Sequence, residues 1–376
     1  MLRMPPDKGD EPPPDSLPLI PEEALALFLG ALGNDETKGL LLAVSGGPDS
    51  IAMLGLAAAV RACLPPLAVA TVDHGLRPEA AEEAKMVAGL CKELQIPHCT
   101  LLWADRPAAP FSQEAARQGR YALLLSHARA IEASHLVTAH TLDDQAETVL
   151  MRMASGSGLG GLGAMRPNVR RGHIGHLRPF LDVPKSRVLA TCDLHGWHFA
   201  QDASNRDGRY KRVRLRALMP VLAQEGLTPE RLGKLAARAR RTEDAIEHVV
   251  ERMLDACVIH HAPDGGTIRL KAEPFCTEPF EIAMRMLRRS MFAIASRENM
   301  DAQIPLAKLE MLMRNLRMAI RDQRPFRSTL AWAVVAHANA LLEVRSAPPR
   351  RGSNKGNAVQ SRGAIARCLG NRARRF

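Results

Sequence analysis

Between residues 39 and 138, short apolar runs alternate with longer amphipathic stretches. The runs Leu40–Val44, Leu67–Val72, His98–Leu102 and His135–Thr138 are four to six residues long and mostly apolar without strict alternation. That is the pattern of strands buried on both faces of a parallel sheet. Between them the 3.6-residue period predicts helices near 50–63, 79–94 and 112–133, and a short helix over Glu22–Leu32 precedes the first strand. Strands separated by helical runs make βαβ units. Such sheets bind ligands beyond the carboxyl ends of their strands. The predicted fold class is therefore α/β with a parallel sheet, followed by a mainly helical region.

Residues 177–222 read as the close of the first domain. Thr228-Pro229 has the chemistry of a helix N-cap and first position, and opens a long basic helix to about Cys257. Residues 272–321 are again helical in pattern and rich in Met, Leu and Arg, and 329–344 suit a strand pair. The acidic, proline-rich residues 1–20 and the chain after Pro348-Pro349 lack any apolar period and read as disordered. The expected division is 1–37 as an N-terminal extension, 38–222 as a catalytic domain, 223–344 as a mainly helical region and 345–376 as a basic tail.

Charge changes this picture. The chain of 376 residues carries a formal net charge of +11, and nine of its basic residues lie within 345–376, where there is no acid. A second basic stretch, Arg206 to Arg241, holds eleven Lys or Arg against three acids. Basic clusters of this kind favour polyphosphate partners, nucleic acid above all. Seven scattered cysteines without a Cys-x-x-Cys pair argue against a disulfide framework or a zinc or iron–sulfur site. The N-terminus has no apolar core of a signal peptide, and no apolar run approaches membrane-spanning length. No membrane partner is expected, and the expected location is the cytoplasm.

The first strand runs into Ser45-Gly46-Gly47-Pro48-Asp49-Ser50. Strand, glycine turn and helix N-terminus make an anion cradle of backbone N–H groups at the positive end of a helix dipole. The Gly-Lys-Ser/Thr ending of a Walker A loop is missing, which excludes ordinary P-loop chemistry. Residues 156–163 contain a formal G-x-G-x-x-G at Gly156, Gly158 and Gly161. They follow a helix-like run instead of a strand, so a dinucleotide site is rejected and a mobile loop near the site is expected.

The Ser-Gly-Gly-x-Asp-Ser loop resembles that of the PP-loop ATP-pyrophosphatase superfamily. Further segments narrow the resemblance: Val72-Asp73-His74-Gly75-Leu76-Arg77, Glu114 to Tyr121, Thr138-Ala139-His140-Thr141-Leu142-Asp143-Asp144-Gln145-Ala146-Glu147-Thr148, Gly161 to Met165, Arg178-Pro179-Phe180-Leu181 with Asp202-Ala203-Ser204-Asn205, and Tyr210 to Arg216. Together, across residues 39–222, they resemble the tRNA(Ile)-lysidine synthetases. Two positions depart from that family: His140-Thr141 stands where two histidines are usual, and Val213 where an Asn is usual.

The resemblance implies a PP-loop catalytic domain with a helical substrate-binding region. It implies ATP and Mg²⁺ as cofactors, and free L-lysine and an isoleucine tRNA with a CAU anticodon as substrates. The implied reaction adenylates the C2 oxygen of the wobble cytidine and then displaces AMP with the lysine ε-amine. In this chain Ser45, Gly46, Gly47, Pro48, Asp49 and Ser50 would hold the ATP phosphates. An acid within an anion loop repels phosphate unless a metal bridges them, so Asp49 and Asp144 are the expected Mg²⁺ ligands. Asp73 and His74, at the end of the second strand, are placed to contact adenine or ribose. Glu147 or Asp143 could recognise or deprotonate the lysine amine. Arg117 or Arg120 could clamp the tRNA backbone or neutralise the α-phosphate, and His140 could orient the acids or the base. Arg212, Arg214 and Arg216 alternate, which on an extended segment would point them one way, toward phosphates or the leaving AMP. A tRNA thiolase is the nearest enzymatic rival, and a non-catalytic RNA-binding scaffold is the rival of another class. The missing paired cysteines argue against the first, and an acid kept inside a phosphate loop argues against the second.

Overall fold

The computed structural model describes residues 16–75, 78–103, 113–200, 209–262, 265–295 and 304–348. Residues 1–15 of the N-terminal extension, most of the basic tail, Leu76-Arg77 and Asp202-Ala203-Ser204-Asn205 lie outside the described residues. The chain divides into two compact units, Met1–Asp244 and Ala245–Phe376.

The first unit runs α1 (Pro21–Leu32), β1 (Leu40–Ala43), α2 (Pro48–Ala59), β2 (Leu67–Asp73), α3 (Pro78–Glu93), β3 (His98–Leu102), α4 (Gln113–Ala130), β4 (His135–Val137), α5 (Leu142–Met153), α6 (Leu159–Leu162), β5 (Asn168–Arg171), β6 (Ile174–Leu177), α7 (Lys185–His195) and α8 (Lys211–Gln224). The helix α9 (Pro229–Cys257) starts in it and continues past its end. The described strands form one sheet in the order β3-β2-β1-β4-β6-β5. All pairings are parallel except β5 with β6. The four strands expected from the apolar runs are therefore present, to within a residue at their ends.

The period of two in β1 explains why both faces are covered. Leu40 and Leu42 pack into a core with Phe28 of α1, Ile51 and Leu54 of α2, Val87 of α3 and Val188 of α7. Leu41 faces the other way, against Tyr121, Leu124 and Ala128 of α4. Phe28 and Phe180 meet edge-to-face at 6.1 Å inside the first core. Gly55 of α2 gives Trp197 room: a Cβ there would lie 2.3 Å from the indole.

Strand order reverses between β1 and β4, whose registers align Leu42 with Val137. The crevice beyond their carboxyl ends is the ligand position of such a sheet. The loops after β1 and β4 open into it.

The second unit contains β7 (Val258–His261), β8 (Thr267–Lys271), α10 (Pro274–Thr277), α11 (Phe280–Ala293), α12 (Leu306–Arg321), β9 (Phe326–Leu330), β10 (Ala333–Ala338) and β11 (Leu341–Ser346). Its described strands form an antiparallel sheet, β7-β8-β11-β10-β9. Met284, Leu287 and Met291 of α11 and Leu309, Leu312 and Leu316 of α12 share a core with Leu270, Val335 and Val344. The expected strand pair at 329–344 is thus the middle of a larger sheet. Asn339 and Ala340, both at positive φ, make the two-residue turn between β10 and β11. The helical pattern of 272–321 resolves into three helices, because Pro274, Pro279 and Pro305 restart the chain at or just before each first turn.

Candidate active site

The phosphate loop is built as its residue types require. Gly46 sits at φ +90°, a conformation costly for any residue with a Cβ, and its carbonyl accepts the Ala200 N–H at 2.9 Å. Gly47 caps α2 and Pro48 takes its first turn. Ser50 Oγ donates to Gly47 O at 2.9 Å and accepts from Ser45 N–H at 3.1 Å, which holds the turn closed.

The loop opens into a cavity of about 450 Å³. Ser45, Gly47, Pro48, Asp49 and Ser50 line its floor, with His74, Arg120, His140, Asp144, Arg212 and Arg216 around it. Residues separated by more than 160 positions thus meet in one crevice at the switch point.

The acids divide by position. Asp144 Oδ2 accepts the Thr141 N–H at 3.0 Å at the start of α5, and its Oδ1 pairs with Arg212 at 2.7 Å. Burial pushes the Asp144 carboxyl up, but Arg212 and the Thr141 N–H hold it below its usual range. Asp49 Oδ2 pairs with Lys185 Nζ at 2.9 Å, while its Oδ1 is buried without a partner. Burial raises its pKa against the pull of Lys185. Asp143 turns to the α7 N-terminus, where it accepts the Lys185 N–H at 2.8 Å. Glu147 is buried outside the cavity wall. One of its oxygens takes Arg212 Nε and the other Arg216 Nε, each at 2.5 Å.

The segment carrying these arginines is helical, not extended as expected. On α8, Arg212 and Arg216 are one turn apart and share Glu147, whereas Arg214 leaves that face and donates to Arg209 O at 2.7 Å. The alternation misled because three long cationic side chains also read as one solvated helix turn. Asp73 Oδ1 accepts the Gly75 N–H at 2.8 Å and shapes the turn after β2. Arg117 lies over the Tyr121 ring at 5.2 Å, behind the wall that Arg120 lines.

Three site residues were not singled out from the sequence. Lys185 links Asp49 and Asp143, but a lone lysine at a helix start after Val183-Pro184 has no motif of its own. Thr138 and His176 lie behind His140: Thr138 Oγ1 is 2.8 Å from His140 Nδ1 and 2.9 Å from His176 Nε2. Burial lowers the pKa of His140 to about 3, against the opposing pull of Asp144, and of His176 to about 2, and the arginines around both rings push the same way as burial.

A phosphate cradle at the switch point of a parallel sheet, with cations and acids facing it, defines a PP-loop nucleotide-binding enzyme. The model of an ATP-binding PP-loop domain matches residues 22–222. The fold is similar to that of the U34-tRNA thiolase NcsA from Methanococcus maripaludis, with a TM-score of 0.50 and 18% identity over 59% of this chain and 78% of that one. The chain belongs to the tRNA(Ile)-lysidine synthase family of ATP-dependent ligases. It is 46% identical over 338 residues to the tRNA(Ile)-lysidine synthase of Methylobacterium sp. (strain 4-46), covering 89% of this chain and 96% of that one. The enzyme of Bradyrhizobium diazoefficiens is 42% identical over 356 residues, covering 90% and 97%. Among the described residues, no helix is long and apolar enough to cross a membrane.

Proposed function

We propose that the cavity joins ATP, the wobble cytidine of an isoleucine tRNA with a CAU anticodon, and free L-lysine, and makes lysidine. The observation that carries this reading is that the Ser45–Ser50 loop, Asp144, Arg212 and Arg216 line one cavity. In the first step the cytosine C2 oxygen attacks the α-phosphorus of ATP. An O–P bond forms and the bond to pyrophosphate breaks. In the second, the lysine ε-amine attacks C2. A C–N bond forms, the C2–O bond breaks, and AMP leaves with the oxygen.

The loop N–H groups hold the leaving pyrophosphate, and Ser50 keeps the loop in the shape that presents them. Arg212 and Arg216, fixed by Glu147, face the charge that develops on the α-phosphate and later on AMP. Arg120 adds a third cation on the α4 side. The unpartnered Asp49 Oδ1 is a hard oxygen beside the phosphate loop, which fits Mg²⁺. Asp49, with Asp144 as the second carboxylate, would hold the ion, and its charge would neutralise the phosphates. Both oxygens of Glu147 are taken by the arginines and it does not line the cavity, whereas Asp144 does, beside Arg212. We assign Asp144, with Asp143 behind, to the lysine amine. The basic 206–241 stretch would contact tRNA, and the region from 223 to 344 would supply further tRNA contacts by its own basic residues.

The test is ATP-dependent incorporation of labelled lysine into tRNA, with Asp49→Ala and Asp144→Ala. Incorporation confined to the CAU isoleucine tRNA and lost in both variants is the expected result. Adenylation without lysine uptake would keep the nucleotide site and refute the nucleophile. Neither step on folded protein would favour an RNA-binding scaffold.

A further inference from the structure

A hydrogen-bond chain with a fixed direction ends at His140. It begins at two guanidinium groups. Arg171 Nε and Arg178 Nη2 each approach His176 Nδ1 at 3.1 Å. A guanidinium has donors only, so His176 Nδ1 must accept. Its ring proton then sits on Nε2, and Nε2–H donates to Thr138 Oγ1 at 2.9 Å. The Thr138 hydroxyl has a single proton, and its other partner at 2.8 Å is His140 Nδ1. The hydroxyl could accept from both rings, but its own proton would then be left without a partner among the described residues, at a cost a buried group avoids. The proton therefore points to His140, whose Nδ1 accepts. A neutral His140 keeps its own proton on Nε2, which has no partner among the described residues, and the ring lines the nucleotide cavity.

Every link is held from behind. His176 is fully buried, packs on Tyr121 at 5.3 Å between centroids, and lies 6.4 Å from the His140 ring. Arg171 stacks over the same Tyr121 ring at 4.5 Å, and Arg178 is anchored to Arg166 O at 2.7 Å. Neither ring is free to turn without leaving a buried polar atom unpaired.

We infer that Arg171, Arg178, His176 and Thr138 set the tautomer of His140 so that its Nε2–H is a permanent hydrogen-bond donor to an oxygen of the bound reactants. Thr138 and His176 are positioning residues, and His140 is the group that touches substrate. The neutral ring matters because Arg120, Arg212 and Arg216 already supply the cavity's positive charge. A donor without charge can hold an acceptor oxygen without adding to their mutual repulsion. The acceptor is either a phosphate oxygen of ATP or the C2 oxygen of the target base. The substrate assignment rests on the function proposed above, whereas the tautomer does not.

The test uses the full chain labelled with ¹⁵N-histidine, and His140→Gln identifies the His140 signals. Without any ligand, His140 should show a bare Nδ1 and a protonated Nε2, unchanged between pH 6 and 8. A proton on Nδ1, or averaging between tautomers, would overturn the inference whatever reaction the enzyme catalyses. Thr138→Val should release the tautomer and lower the adenylation kcat by about 10- to 100-fold with little change in KM. Thr138→Ser should restore both. Full adenylation activity in folded Thr138→Val would refute the relay. Adding α,β-methylene-ATP should move the Nε2–H resonance if phosphate is the acceptor. A shift that needs tRNA assigns the base, and no shift with either would remove the donor role while leaving the lysidine reaction standing.

Discussion

Replacing Glu147 with glutamine tests whether that carboxylate acts through the arginines or on the lysine amine. Glu147 is 2% exposed and accepts from two guanidinium groups that are 34% and 42% exposed. Each charge-assisted bond is worth roughly 1.5–3 kcal/mol when its partner cannot be resolvated. Both arginines are a third or more exposed and regain hydration on release, so a net loss of about 2 kcal/mol is expected for the pair. With a urea slope of ~3 kcal/mol/M, that lowers the midpoint for the Met1–Asp244 unit by about 0.7 M. The effect on chemistry should be larger. With Arg216 released and Arg212 held by Asp144 alone, stabilisation of the α-phosphate falls by about 10²- to 10³-fold, already in the adenylation step. The assay is single-turnover adenylation and lysine transfer measured separately in Glu147→Gln, Arg212→Ala and the double variant. Groups that act as a unit are strongly non-additive, so the double variant should lose clearly less than the sum of the two single losses, its excess over Arg212→Ala being the release of Arg216. Additive effects, or a Glu147→Gln defect confined to lysine transfer, would refute the clamp and make Glu147 the amine's base.

Gly46→Ala puts a Cβ on a positive-φ turn, where its contacts with Met86 and Glu83 at 3.4 and 3.5 Å are ordinary and the backbone conformation carries the cost. It should destabilise by roughly 1–2 kcal/mol and weaken binding of a fluorescent ATP analogue, and an unchanged Kd would contradict the cradle. Gly55→Ala drives a methyl into Trp197 and should cost about 1–3 kcal/mol in urea unfolding, with no loss if the α2–α7 packing is wrong. The pH dependence of stability should carry the mark of His176. Its folded pKa, about 2, lies below the ordinary 6.5, so below pH 6.5 the unfolded chain takes up a proton that the folded one refuses. Its contribution is complete above pH 6.5 and declines by ~1.4 kcal/mol per pH unit as pH falls toward the folded value. His176→Gln should flatten that slope by one proton, and an identical slope would refute a buried neutral ring.

The parallel sheet was legible because its strands are buried on both faces, which leaves apolar runs that few other contexts produce. The phosphate loop was legible because glycine, proline and serine are each demanded by backbone geometry there. The remaining site residues were harder to read. Asp143 and Asp144 are neighbours in sequence, yet one serves α7 and the other the cavity, since adjacent helical residues diverge by about 100°. Arg212 and Arg214 look equivalent as a pattern, and only the helical turn selects Arg216 as the partner of Arg212. Lys185 reaches Asp49 across 136 positions and His176 reaches Thr138 across 38, which no local spacing encodes. The second unit's sheet was half visible because short antiparallel strands around tight turns leave a weaker signal than buried parallel ones.

The anchoring of Gly46 by Ala200, and the closing of the cavity by Arg212 and Arg216, also bear on biosynthesis. The phosphate loop leaves the ribosome early, but the segment that braces it and the cations that complete it are made more than 150 residues later. At about 5–20 residues per second, the nascent chain spends several seconds with a loop that has neither its brace nor its arginines. Nucleotide can therefore help to fold this enzyme only at the end of the first unit's synthesis. Truncated products that stop short of α8 should gain no protection from ATP, however well their sheet has formed.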